Sequence, residues 1–144
     1  MAYKLSDKSK QNLKGVHPSL RFLVEGVMET QIMDFSVKEG VRSEARQKEL
    51  FDAGFSKTLK SKHLIQKDGY GHAVDLYPYP IDMDAVNKMS GVEVSRFGVL
   101  CGIIKALAWT HGIKIRWGSD WDGDGQTLDH TFVDMPHFEL GEER

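Results

Sequence analysis

The stretch "VSRFGVLCGIIKALAWTHG", residues 94–112, constrains the fold more than any other part of the chain. Phe97, Leu100, Ile104 and Leu107 recur at three- and four-residue intervals, so they line one stripe of a helix, and Gly112 supplies its C-terminal cap. A helix with one apolar stripe must bury it against a second layer. The other segments supply that layer in short pieces. Ser6 or Asp7 caps a first helix carrying Leu13 and Val16, and "LRFLVEGVMETQI" is a second helix with Leu20, Leu23, Val24 and Val27 on one face. "DFSVKEGVR" alternates like a strand, and "SEARQKELFDAG" is a third helix between a Ser43 cap and Gly54. "HAVDLYPY", ended by Pro78 and Pro80, and then "IKIRW" and "HFEL" read as strands, with "FSKTLKSK" as a polar loop. This irregular alternation predicts an α+β fold with a small, mainly antiparallel sheet and flanking helices.

A chain of 144 residues without repeats or linkers is expected to form one domain, residues 1–144. The net charge of −2 gives no global case for nucleic acid or membrane binding, and the basic run Lys57, Lys60, Lys62 reads as a solvated loop. No segment approaches the ~20 apolar residues of a membrane span, and the opening "MAYKLSDKSKQNLKGV" lacks a secretory signal. The expectation is a monomer made and folded in the cytoplasm. Cys101 is the only cysteine, which excludes an intrachain disulfide, and its apolar neighbours mark it as a buried thiol rather than a nucleophile.

Histidine and aspartate at the ends of short apolar runs carry the chemistry. A catalytic zinc takes three protein ligands and leaves its fourth position to water. His63 precedes the glycine-containing "LIQKDGYG", and Asp75 follows on the strand that leaves it, so a hairpin brings the two together. Strand parity puts Asp75 on one face with Gly71 and Ala73, and His72 on the other with Val74 and Leu76. His63 and Asp75 are therefore the expected ligands and His72 is not. A third ligand, His137, stands in "DMPHFEL", where Asp134 precedes a turn fixed by Pro136 and reaches a water without ligating the metal, as a general base must. Glu139 is the next carboxylate to consider for that task. Alone, such residues are more often turn or surface groups, which is the reading given to His17, His111 and His130.

The pattern "SKHLIQKDGYGHAVDL" resembles the S-x-H-(x)-G-x-A-x-D signature of the zinc DD-/LD-peptidase superfamily that includes the VanY- and VanX-type carboxypeptidases, and "DMPHFEL" resembles its second signature. "LKGVHPSL", "GVRS" and "IKIRWGSDWD" are similar to the L-alanyl-D-glutamate peptidases found as phage endolysins, so the resemblance covers most of the chain. It implies a Hedgehog/DD-peptidase-like fold in which His63, Asp75 and His137 bind zinc and Asp134 is the catalytic base. It also implies that Arg42, in "GVRS", stabilises the substrate's oxyanion or carboxylate. The implied function is hydrolysis of the L-alanyl-D-glutamate bond of bacterial peptidoglycan by a single catalytic domain without a wall-binding domain. Such an endolysin waits in the host cytoplasm until the membrane is permeabilised. The alternatives are a D-alanyl-D-alanine carboxypeptidase of the same fold and a non-catalytic binding module.

One departure is an insertion, Leu64 to Tyr70, between the signature's His and Gly, from which Tyr70 or Lys67 is expected to line the substrate groove. Ser61, at the first signature position, is expected to support the site by hydrogen bonding. A second ion, calcium, is a candidate at "DWDGDG", where Asp120, Asp122 and Asp124 alternate and Gly125 stands sixth. The twelfth position holds Thr131 instead of a bidentate Glu, with Asp129 as a substitute. Trp117 and Trp121 read as packing or a groove wall.

Overall fold

Side-chain caps start the helices in the computed structural model, which describes residues 3–88, 91–120, 123 and 134–141. Ser6 accepts a hydrogen bond from the Ser9 N–H at the start of α1 (Asp7–Asn12). His17 Nδ1 accepts from the Ser19 N–H at the start of α2 (Pro18–Glu29), whose first-turn proline displaces no helical bond. β1 (Phe35–Glu39) follows, then α3 (Glu44–Asp52), begun by Ser43 accepting from the Arg46 N–H. β2 (Ala73–Pro78), α4 (Met83–Asn87), α5 (Gly91–Thr110), β3 (Ile115–Gly118) and β4 (Asp134–Leu140) complete the described elements.

The four strands form one antiparallel sheet in the order β1-β2-β4-β3. Its alternation separates two faces. Val37, Val74, Leu76 and Phe138 point into the core with Leu20, Leu23, Val24 and Val27 of α2 and Leu100, Cys101 and Ile104 of α5. Asp75, Tyr77, His137 and Glu139 point the other way, into a groove. The expected α+β fold is thus present, with α2 and α5 packed on one face and the polar groove, bordered by α3, on the other. Among the described residues no helix is long and apolar enough to cross a membrane.

α5 begins at Gly91, ahead of the Val94 read from the sequence. Its stripe is Phe97, Leu100, Cys101, Ile104 and Ala108, while Leu107 sits half-buried against Gly26 of α2. Gly112, at φ +67°, ends it in the left-handed conformation glycine favours, with the Ile113 N–H bonded to the Ala108 carbonyl. Burial pushes the Cys101 thiol up to about 11, as befits a structural cysteine.

Pro136 lies inside β4 instead of fixing a turn beyond Asp134. Trp117 pairs with Phe138 but its neighbour Gly118 pairs with Asp134, so β4 bulges between them. The bulge accommodates a proline that has no N–H to donate, and Trp117 Nε1 donates to the Met135 carbonyl at 2.6 Å. It also carries Asp134 to the groove.

Candidate metal centre

Each of the three expected ligands is aimed by its own element. Ser61 Oγ accepts from the His63 N–H at 3.1 Å, and the His63 carbonyl accepts from the Arg42 N–H at 2.9 Å. The buried His63 ring donates from Nδ1 to the Gly40 carbonyl at 2.8 Å, which turns Nε2 towards Asp75 Oδ1, 3.2 Å away, where it bonds the carboxylate when protonated and offers its lone pair to a metal when not. Asp75 and His137 are direct partners across β2 and β4, with His137 Nδ1 3.4 Å from the same Oδ1. The far nitrogen of His137, Nε2, donates to Glu139 Oε1 at 2.9 Å, and Arg116 holds the other oxygen of Glu139 at 3.3 Å.

This donor set fits a small divalent ion. The three ligand atoms lie within 4.8 Å of one another. Tetrahedral bonds of about 2.0–2.1 Å set donor atoms about 3.3 Å apart, and the two histidine nitrogens lie 3.2 and 3.4 Å from Asp75 Oδ1. Both rings also make the outward hydrogen bond, to a carbonyl and to a carboxylate, that fixes the tautomer of a metal-binding histidine.

The charges are consistent with this reading. Burial opposes the charge on Asp75, but hydrogen bonds from His137 and His63 outweigh it and hold the carboxyl well below its ordinary range. Burial lowers His137 too, yet its bonds to Asp75 and Glu139 carry it up to about 9. Asp134 is raised, first by burial and then by the charge of Asp75, with His137, His63 and Arg42 opposing. Burial and the charges of Asp75, Asp134 and Glu39 push the Tyr77 phenol up to about 12, so it stays a donor at neutral pH.

Arg42 reaches the site as expected, but held on two sides. Glu39 takes Nε and Nη2 at 2.8 and 2.9 Å, Gln47 Oε1 takes Nη1 at 2.7 Å, and Nη2 lies 3.8 Å from Asp75 Oδ2. One hydrogen on Nη1 and one on Nη2 remain for other partners. Gln47 is buried in α3 and also donates to Ser56 and to the Thr58 carbonyl, tying the arginine to the loop 55–62. Sequence reasoning missed Glu39 and Gln47, and it considered Glu139 only as a base. The role of Glu139 had a signal, because residues 137 and 139 of one strand share a face.

The insertion does not line the groove. Tyr70 packs edge-on against His17, with ring centroids 5.5 Å apart, and neither it nor Lys67 is among the groove residues. Asp68 turns the insertion towards the start of α2, where its Oδ2 lies 2.6 Å from His72 Nε2 and 3.8 Å from His17 Nε2. These three also converge within 4.8 Å, but His17 Nδ1 already accepts from Ser19, so its proton sits on Nε2 and points at Asp68. The cluster is a carboxylate held between two imidazoles.

Asp120 is buried and accepts from Lys105 Nζ at 3.0 Å, so an internal cation already faces it. Asp122, Asp124, Gly125, Asp129, Thr131, Trp121 and His130 lie outside the described residues. Trp117 stacks on Phe138 at 6.4 Å and 15°, which makes it packing. His111 is exposed and lies edge-on to Phe22.

A two-histidine, one-aspartate donor set on an open sheet face, with a raised carboxyl beside it, is the arrangement of a metal-dependent hydrolase. The chain matches the family model described as phage L-alanyl-D-glutamate peptidase over residues 1–141, and it belongs to that family. A curated relative, the L-alanyl-D-glutamate peptidase of Escherichia phage T5, is 27% identical over 147 residues, covering 97% of this chain and 99% of the relative. The crystal structure of the Serratia marcescens L-Ala D-Glu endopeptidase ChiX superposes with a TM-score of 0.71 at 31% identity, covering 96% of this chain and 90% of that one.

Proposed function

We propose that this protein is a zinc-dependent endopeptidase that hydrolyses the L-alanyl-D-glutamate bond of peptidoglycan stem peptides and serves as a phage endolysin. The observation that carries the reading is the convergence of His63, Asp75 and His137 within 4.8 Å of one another beside Asp134. The relatives' names specify this bond, which favours an endopeptidase over a carboxypeptidase or a non-catalytic module. One catalytic domain accounts for the whole matched span, and we read it as monomeric. The protein collects in the host cytoplasm and meets the wall once the membrane is permeabilised.

Bound by those three residues, zinc supplies Lewis acidity, which polarises a carbonyl and makes water more acidic at neutral pH. The chain's own groups do the rest. Asp134 accepts the proton of the attacking water as its oxygen bonds to the alanyl carbonyl carbon, and its raised affinity for protons suits that task. The same proton passes to the glutamate nitrogen as the C–N bond breaks. Arg42, through its remaining N–H groups, and Tyr77, through its hydroxyl, line the groove and are the donors we assign to the charge that develops on the carbonyl oxygen.

Digestion of purified peptidoglycan followed by mass spectrometry and end-group labelling tests the reading. New N-terminal glutamate and new C-terminal alanine, in equal amounts and only with metal present, are expected. Release of free D-alanine instead would indicate a carboxypeptidase.

A further inference from the structure

The groove beside the metal centre is about 680 Å³, and one wall is the loop 55–62. That wall presents Lys57, Lys60 and Lys62, in a chain whose net charge is −2. Several of the groove's other charges are answered internally. Glu39 is held by Arg42, Glu139 by His137 and Arg116, and Arg46 lies 3.5 Å from Glu49. Among the described residues, none of the three lysine ammonium groups has a carboxylate within the 4.0 Å of an ion pair. The wall is also braced. Gln47 donates to the Thr58 carbonyl at 2.6 Å and to Ser56 Oγ at 2.8 Å, and the Phe55 and Ser56 N–H groups bond to the Leu50 carbonyl. The Lys60 N–H bonds to Thr58 Oγ1 at 2.9 Å. Three positive charges thus stand on a braced wall of the groove, and among the described residues none is in an ion pair, although Lys62 also acts on Glu139 across it.

The substrate assigned above supplies one. Glutamate has two carboxyl groups, and continuing the peptide beyond it uses one. The other stays free on the residue whose nitrogen leaves, a few bonds from the scissile carbon. Arg42 is committed elsewhere, because two of its nitrogens hold the Glu39 carboxylate and its remaining N–H groups are those assigned above to the carbonyl oxygen.

We propose that Lys57, Lys60 and Lys62 form a carboxylate-recognising wall that makes the enzyme select stem peptides with a free glutamate carboxylate over those in which it is a carboxamide. This inference rests on the L-alanyl-D-glutamate reading. The lysines act on binding and leave the chemical step to the residues around the metal. The selectivity is electrostatic and partly exposed, so it weakens with salt.

The test uses two synthetic stem peptides that differ only in that group, carboxylate or carboxamide. The metal-loaded wild type is compared with the triple variant Lys57→Gln/Lys60→Gln/Lys62→Gln, and with Lys14→Gln as a control for general charge effects. Binding is titrated in the cold, KM and kcat are measured at working temperature, and the same samples are analysed for products by mass spectrometry. The wild type and the Lys14→Gln control should bind the carboxylate peptide about tenfold more tightly than the carboxamide. The triple variant should bind both alike, through a raised KM for the carboxylate peptide alone and a kcat within about twofold. Raising the salt should erode the preference in the wild type and change little in the variant. Cleavage by the wild type with no preference between the peptides overturns the lysine wall and leaves the bond assignment standing. An equal loss for both peptides in the variant also overturns it. A binding preference that disappears in the variant, without cleavage between alanine and glutamate, supports the wall and overturns the bond assignment.

Discussion

At the scale of single residues, the site is governed by where its protons sit. His137 offers Nδ1 to a metal, while Nε2 keeps its hydrogen for Glu139. Without metal the ring holds its second proton up to about 9, so below that pH an incoming ion must displace it. Metal binding at pH 7.5 should therefore release about one proton, and apparent affinity should rise about tenfold per pH unit until it levels off near 9. Calorimetry in two buffers of different ionisation enthalpy reads the proton directly, and identical heats in both would refute the assignment. The same shift has a sign for stability. A histidine raised in the folded state contributes stability fully below its unfolded value of about 6.5, and loses it as pH climbs through about 9. The metal-free protein should accordingly lose melting temperature over that window, relative to the metal-loaded form. Asp134 and Glu139 separate by the same logic. Asp134→Asn should keep its metal and lose about 10²–10⁴ in turnover, whereas Glu139→Gln should weaken metal affinity by about 10–100-fold. Metal analysis beside kcat distinguishes them, and near-normal turnover in Asp134→Asn would move the base elsewhere.

At the scale of elements, Asp134 depends on the β4 bulge, and the bulge depends on Gly118. A Cβ at Gly118 would stand 2.0 Å from the Asp134 carbonyl oxygen and 3.0 Å from its Cβ, so no side chain fits without parting β3 from β4. Gly118→Ala should cost about 2–4 kcal/mol of stability. Turnover should fall further than the unfolded fraction explains, because Asp134 shifts while the ligand pair across β2 and β4 does not. Denaturant unfolding and kcat on one preparation, with metal content as reference, test this, and full stability with full turnover would show that the strands part at no cost. The element scale also explains what the sequence could disclose. That Asp75 and His137 would face the same way was legible because strand alternation is a property of one strand, although Ala73 beside Asp75 is buried and leaves no open space in the groove. His63 was legible because a hairpin has few ways to return. The bulge was not, since it is a relation between β3 and β4, and Pro136 alone reads equally well as a turn. α4, five residues capped by Asp82, is too short for periodicity to register. The path of the insertion was hidden for the same reason as the bulge, because it is set by His17, some fifty positions upstream.

At the scale of the whole molecule, two clusters of the same composition sit in different surroundings and should behave differently. His63, Asp75 and His137 stand on rigid strands and a short turn, with both imidazole tautomers set by outward hydrogen bonds so that lone pairs face inward. His17, Asp68 and His72 stand where α2 begins, with Asp68 on an exposed turn and the His17 proton directed at the carboxylate by the helix cap. A metal there would have to move that proton to Nδ1 and set it against the Ser19 N–H, losing a cap that stabilises by about 0.5–2 kcal/mol. These surroundings favour His63, Asp75 and His137 as the ion site and predict that the second cluster instead fastens the insertion to α2. His17→Asn separates the two roles, because asparagine is as good an N-cap as any residue but has no imidazole. Elemental analysis after dialysis against micromolar zinc should give one ion per chain in the wild type and in His17→Asn, and none in His137→Ala. Asp68→Ala should also keep one ion, while exposing the 64–70 segment to limited proteolysis sooner than in the wild type. Two ions in the wild type falling to one in His17→Asn would mean that the cap yields to the metal and that the corner of α2 is a second centre.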